Sequence, residues 1–297
     1  MRHQPRHDNR GILDPERLLR RVRFRRCLPA VALRPYVEHY WLVDWELTEP
    51  FAQRVVPHPA VNVVFIRHGD GPEAAEIAGV GLRLFSITLT GTGRACGIQF
   101  RPGGFRPFWR RPVAELTGQR RPLTTGSPAA GPTTGPSAAG LTAGPSTAGV
   151  TGPSHVGASG AVGGGPVCGG TDDERCAALD AFLTAWAPEP DPVADEVIAL
   201  VQEIRSDRSI LRVDDFARRH GSSVRRLQRL FLAYVGVGPK WVIRRYRLQE
   251  AIEQAADGPQ DWAALASDLG YSDQAHLGRE FTAVTGISPA AYARSLG

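Results

Sequence analysis

At 297 residues and 32.1 kDa the chain exceeds what one hydrophobic core usually organises, so two domains with connecting material are expected. The 42% hydrophobic and 22% charged composition is that of a globular protein, yet 33 Gly and 24 Pro approach a fifth of the chain and point to an unstructured stretch. No apolar run reaches the roughly 18 residues of a membrane span, and no apolar segment follows Arg20-Arg21, which argues against export and for a chain that works in the cytoplasm without a membrane partner.

The formal charge is +5, and of 35 basic residues only Lys240 is lysine. Its location matters more than its size. Residues 208–247 hold 11 basic and 2 acidic groups between acidic flanks, which is the footprint of a polyanion-binding surface or, more blandly, of a solvated helix face. Cys27, Cys96, Cys168 and Cys176 are scattered, the closest two eight positions apart, which matches neither paired metal ligands nor a disulfide framework. Buried bystander thiols are the expectation, although Cys96 beside Arg94 could also be read as a sensor thiol.

In chain order, residues 1–26 carry 9 Arg against 3 acids and read as a mobile tail. Residues 27–125 hold short β-branched and aromatic runs between Gly and Pro: Tyr40 to Val43, Val61 to Ile66, Leu82 to Leu89 and Gly97 to Phe100. These predict strands of an antiparallel sandwich or small barrel. In residues 126–170, 38 of 45 positions are Gly, Ala, Ser, Thr or Pro and none is charged, which reads as a flexible linker that tethers two halves loosely. A connecting helix over 171–187 starts at Thr171 and its following carboxylates and stops before Pro188. From 192 to 297 the period is helical throughout. Pro192 and Pro239 open helices, Ser223, Asp261 and Ser272 cap others, and Gly221, Gly270 and Gly286 close them, which gives a seven-helix domain.

Two places in this domain share one plan. A short helix ending at Gly221 or Gly270 is followed within a few residues by a capped helix with a polar outer face. Ala217 and Ala266 allow close crossing, and the glycine allows the tight turn of a helix-turn-helix. Arg225, Gln228 and Arg229 point together on the second helix of the first unit, as do Gln274 and Arg279 in the second. Arg suits a guanine edge and Gln an adenine edge, so these five are the base-reading candidates. Arg218, Arg219, Arg226, Lys240, Arg244 and Arg245 are candidates for phosphates.

Two such units joined by one helix are more specific than one. The segment from Arg212 to Arg294 closely resembles the DNA-binding domain of AraC/XylS-type transcription regulators, through Leu227-Gln228-Arg229-Leu230-Phe231, Val237-Gly238-Pro239-Lys240-Trp241, Leu269-Gly270-Tyr271-Ser272-Asp273-Gln274-Ala275-His276-Leu277 and Gly286-Ile287-Ser288-Pro289. Leu33 to Trp41, Val56 to Asn62 and Phe100 to Phe105 are similar to the effector domain of a smaller group of these regulators. The resemblance implies a two-domain α+β protein: a cupin-like antiparallel β-barrel that takes a small effector, then an all-α reader with two helix-turn-helix units in successive major grooves of double-stranded DNA. It also brings RNA polymerase into view as a partner and leaves a homodimer open. The long linker departs from the family and puts rigid interdomain signalling in doubt.

His39, Trp41, His58, Asn62 and Arg101 are the effector-contact candidates. The barrel aromatics, Tyr36, Trp41, Trp45, Phe65, Phe85 and Phe100, with Arg94 or Arg101 as charged anchors, could line a pocket or simply fill the interior. His39, His58 and His68 raise the alternative of a cupin-type metal-dependent enzyme with a helical accessory domain, but the HxH and acidic companions of such a site are missing. No catalytic residue, metal or cofactor is assigned.

Overall fold

The computed structural model describes residues 11–123, 167–256 and 261–296. Within the expected tail, residues 11–26 are structured rather than mobile, and residues 1–10 lie outside the described residues. Asp14 accepts a hydrogen bond from the Arg17 amide to cap α1 (Pro15–Arg21), which runs directly into β1 (Val22–Cys27). Ile12, Leu13, Leu18 and Val22 are buried, and these four apolar side chains among the arginines are what hold the segment down.

β2 (Val37–Val55), β3 (Asn62–His68), β4 (Ala74–Ala78), β5 (Phe85–Phe100) and β6 (Arg120–Pro122) join β1 in one antiparallel sheet of order β1-β2-β5-β3-β4-β6. β1 and β6 remain edges, so the sheet is not closed into the expected barrel. β6 supplies only three residues and ends on Pro122, which has no amide to donate. The runs at 82–89 and 97–100 are not separate strands: from Phe85 onward they are one long strand, β5, that carries Gly91, Gly93 and Gly97 inside it.

Alternation with period two gives this sheet two faces. Tyr40, Leu42, Phe65, Cys96, Ile98 and Phe100 point to the first, which α2 (Arg106–Trp109) and α3 (Asp172–Trp186) cover. Cys176, Leu179, Phe182 and Leu183 of α3 complete that core, so the expected connecting helix is a layer of the sheet domain. The Val167 and Cys168 amides donate to the Glu73 carboxylate at 3.1 and 2.6 Å. Those residues therefore belong to the domain rather than to the linker; the remainder of the predicted linker, from 126 to 166, lies outside the described residues. Cys27 is disulfide-bonded to Cys176, a pairing that a sequence separation of 149 concealed.

The helical part comprises α4 (Pro192–Ser206), α5 (Val213–Arg219), α6 (Val224–Tyr234), α7 (Pro239–Ala256), α8 (Trp262–Asp268), α9 (Gln274–Thr285) and α10 (Pro289–Leu296). Thr171, Ser223 and Asp261 cap their helices as expected. α9 is capped by Asp273 rather than Ser272, because the Asp273 carboxylate accepts from the His276 amide at 2.7 Å. Two apolar cores organise these helices, one around Phe216, Leu227 and Phe231 and one around Leu265, Leu277 and Phe281.

Sheet and helices also pack on each other. Val80 is buried in the first helical core and Leu13 and Val56 in the second. The Thr117 hydroxyl donates to the Gly236 carbonyl at 2.6 Å, and the Tyr292 hydroxyl to that of Leu13 at 3.1 Å. The loose tether inferred from the linker considered only the covalent path between the halves.

Candidate nucleic-acid interface and ligand cavity

The two helix pairs turn in the same way. Gly221 at φ 55° and Gly270 at φ 76° adopt the left-handed conformation that L side chains avoid. The amide after each then reaches back to the alanine of the preceding helix, Ser222 to Ala217 and Tyr271 to Ala266, both at 2.9 Å. Leu227 and Phe231 bury the inner face of α6, and Leu277 and Phe281 that of α9.

Outward, Arg225, Gln228 and Arg229 on α6 and Gln274 and Arg279 on α9 are all exposed. None of the five forms a hydrogen bond or ion pair among the described residues. The phosphate candidates are less uniform. Lys240 is exposed and unpaired among the described residues, Arg218 pairs with Asp215 within its own helix, and Arg226 reaches Glu196 at 3.1 Å. Arg219 bridges Glu203 at 3.0 Å and Asp207 at 2.6 Å, which ties α5 to α4; hydrogen bonds from Ser209 and then Arg219 hold the Asp207 carboxyl at about 2. Arg244 binds Glu280 at 2.6 Å and so clamps α7 to α9.

Arg245 does not fit the assignment to phosphates. Only 6% exposed, it stacks on the Trp241 ring at 4.6 Å, and burial pulls its pKa down to about 10. Its position in the helix turns it inward, which the charge count of the sequence could not reveal. Arg247 is buried likewise and donates to the Ile204 and Asp207 carbonyls at the end of α4.

On the second face of the sheet, a cavity of about 440 Å³ opens between the strands and helices α4 and α7. Trp41, Trp45, Phe85, Val64 and Ile66 form its apolar wall. Tyr36, Phe65 and Phe100, grouped with these aromatics in the sequence, belong to the opposite side, in or against its core. The Trp41 indole occupies the place a side chain at position 97 would need, since a Cβ on Gly97 would lie 2.0 Å from it. Trp41 also donates to the Asn62 side chain at 3.3 Å.

The polar end of the cavity holds Glu38, His39, His58, Arg205 and Tyr246. Glu38 accepts from Arg205 of α4 at 2.7 Å and from Gln99 at 3.3 Å. Burial works to raise the Glu38 carboxyl, but the charges of His58 and Arg205 outweigh it and hold the group at about 2. Burial first, and then the Arg26 charge, lower His39 to about 3, so its imidazole is neutral. It is 8% exposed, and its Nε2 is buried without a hydrogen-bond partner. The His58 ring meets Tyr246 of α7 edge-on, with centroids 5.9 Å apart.

Four of the effector candidates, His39, Trp41, His58 and Asn62, thus line one cavity. Arg101 does not: it follows the last residue of β5, and its Nε donates to the Arg34 carbonyl at 2.8 Å. Arg94 is spent on the other face, against Asp44 at 3.7 Å. His68 lies against Trp45, away from His39, and among the described residues no group of three or more His, Cys, Asp or Glu is placed to hold a metal ion. The donor set therefore lends no support to the cupin-type enzyme. Sequence reasoning missed Glu38, Arg205 and Tyr246. An acid within the Leu33–Trp41 motif was the available sign for Glu38; Arg205 reads equally well as a cation complementing the end of a helix.

No helix among the described residues is long and apolar enough to cross a membrane. Residues 25–122 match a domain of unknown function, DUF6597, and residues 216–295 match a helix-turn-helix domain. Among solved structures the chain is similar to ToxT from Vibrio cholerae, at 9% identity over 86% of this chain and 97% of that one, with a TM-score of 0.39. Unsaturated fatty acid-bound ToxT is similar at 11% identity over 85% and 93%, with a TM-score of 0.39. ToxT bound to (E)-4-(8-methylnaphthalen-1-yl)but-3-enoic acid is similar at 10% over 86% and 98%, with a TM-score of 0.40. At such identities and scores the likeness carries no argument about ligands. The paired turns and the exposed basic faces agree with the domain matches: a helix-turn-helix domain follows a DUF6597 sheet domain in this chain.

Proposed function

We propose that this chain is a DNA-binding regulator of transcription of the AraC/XylS type, which acts in the cytoplasm and reads one face of duplex DNA with two helix-turn-helix units. α6 and α9 are the recognition helices, set in successive major grooves about 34 Å apart. Arg225, Gln228, Arg229, Gln274 and Arg279 read base edges, while Lys240, Arg218 and Arg226 hold phosphates. Arg219 and Arg244 serve chiefly to fix the helices, through the carboxylates they bind. The observation that carries this reading is the outer face of α6, where two arginines and a glutamine stand exposed and uncommitted over a buried Leu227 and Phe231. Selection of bound sites from a random DNA pool tests it: two short elements about one helical turn apart are expected. A single short element would refute the two-unit reading, and no enrichment would refute sequence-specific recognition.

The sheet domain, on this proposal, senses a small, mostly apolar organic molecule in the cavity. The volume and the aromatic wall suit such a ligand, with few polar anchors. His39 offers a neutral imidazole nitrogen to a hydroxyl or amide, and His58, Asn62 and Trp41 complete the contacts. Thermal-shift screening of the full chain against metabolites is the check, because a ligand of the folded state raises stability with its concentration. No shift across chemically diverse compounds would leave the domain a scaffold.

A further inference from the structure

All four cysteines lie on the first face of the sheet, in one seam. Each pair joins the sheet to the segment that follows the glycine-rich stretch. Cys27 of β1 is bonded to Cys176 of α3, and Cys96 of β5 sits beside Cys168, both as free, fully buried thiols. The Cys168 thiol also donates to the Phe65 carbonyl at 3.5 Å. The seam has other fastenings: Arg175 binds Asp44 at 2.7 Å, and Arg25 binds Asp172 at 2.7 Å. α3 is therefore held in register whether or not the sulfurs are joined.

The two bonded cysteines differ in access. Cys27 is half-buried on an edge strand, whereas Cys176 is 1% exposed. A protein that reads DNA works where thiols are kept reduced, and a cysteine pair placed to bond in that compartment is characteristically transient and redox-sensing. This step rests on the DNA-binding reading. We propose that Cys27–Cys176 is a reversible, redox-responsive cross-link that latches α3 onto the sheet domain, with a peroxide as oxidant and a dithiol as reductant.

Oxidation begins at Cys27. Its thiol gives up a proton, the thiolate attacks the peroxide, the O–O bond breaks, and Cys27 sulfenic acid forms while the expelled hydroxide or alkoxide takes up that proton and leaves as water or an alcohol. The Cys176 sulfur then displaces hydroxide from Cys27; that hydroxide takes up the Cys176 proton and leaves as water. Two thiols have lost two electrons and two protons, and the peroxide has been reduced. In the reverse direction a thiolate of the dithiol attacks Cys27, the accessible sulfur, and Cys176 leaves with the electron pair and takes a proton. The second thiol of the reductant then frees Cys27 and closes its own disulfide.

The test uses the full chain, reduced and freed of reductant, before and after a slight excess of hydrogen peroxide. Thiol titration after denaturation should fall from four per chain to two, and dithiothreitol applied to the native protein should restore four. In Cys27→Ser the count should stay at three. A chain carrying an engineered protease site near residue 145, cut after denaturation, should yield fragments that remain joined on a non-reducing gel only when oxidised. Four thiols after peroxide, a bond mapped between Cys96 and Cys168 instead, or a bond that native dithiothreitol fails to reduce would each overturn the proposal. Neither readout involves DNA, so its failure and the failure of the DNA-binding reading are told apart.

Discussion

The two helix pairs of the helical domain are built alike and charged oppositely. Each turns on a glycine, closes with an amide-to-alanine hydrogen bond, and buries a Leu and a Phe four residues apart. Yet residues 208–247 carry +9, from 11 basic and 2 acidic groups, whereas residues 248–297 carry −5, from 2 and 7. α9 gives up its Glu280 to hold Arg244 of α7, while α6 keeps Arg225 and Arg229 uncommitted. Packing sets where a recognition helix sits, and charge sets how strongly it is drawn to phosphate. On the proposed reading the first pair should therefore supply most of the phosphate-driven affinity.

The largest expected effects concern what the pairs share. Phe231→Ala and Phe281→Ala each remove a fully buried ring, so each should cost about 3 to 5 kcal/mol of stability in chemical denaturation. A loss confined to one of them would break the structural equivalence. Both pairs pack on the sheet domain, and charge coupling to it runs through the first, because Arg205 of α4, on which α5 and α6 pack, binds Glu38. The folded Glu38 carboxyl sits at about 2, against an ordinary 4.5. A depressed carboxyl contributes stability that is present above pH 4.5 and lost as pH falls toward 2. The difference is worth about 3 kcal/mol. Glu38→Gln should flatten that part of the pH–stability curve, and an unchanged curve would show that the ion pair does not link the domains in solution.

How far these features are legible in the sequence follows from how local their causes are. Glycine stops, the apolar stripes of α4 to α10 and the caps other than that of α9, which Asp273 rather than Ser272 supplies, depend on neighbours within a few residues and are readable. The glycine turns at Gly221 and Gly270 are readable for the same reason. The open sheet was not, since closure depends on pairing between distant strands and on an edge as short as β6. α1 and β1 were hidden by their arginines, whose stems leave Leu18 and Val22 free to be buried. Arg245 and Arg225 are the same residue type in the same basic band; only the helix face to which each belongs separates a buried stacking cation from an exposed one. The cavity drew Arg205 and Tyr246 from a segment more than a hundred residues away from Glu38, and no spacing rule anticipates that.

Base reading sharpens the comparison next. Arg229→Ala should weaken binding to the selected DNA site by roughly 1 to 3 kcal/mol and relax preference at one base pair. Arg279→Ala should cost less, since the acidic background around α9 already limits its pull on the duplex. Binding titrations in which Arg279→Ala abolished recognition while Arg229→Ala was silent would reverse the ranking.

The smallest effect isolates charge from shape. Lys240 opens α7 between the two units, exposed and unpaired among the described residues, and a compact ammonium there can neutralise a phosphate without reading a base. Lys240→Ala should weaken binding to every sequence about equally and lower the dependence of log affinity on log salt by about 1. Arg218→Ala, by contrast, removes a cation already paired with Asp215 and frees that carboxylate. The two variants should thus differ although each removes one exposed positive charge from the same band. Equal salt slopes would mean that the pairing of Arg218 gives way on DNA, and that net charge, rather than which cations are uncommitted, governs the first unit.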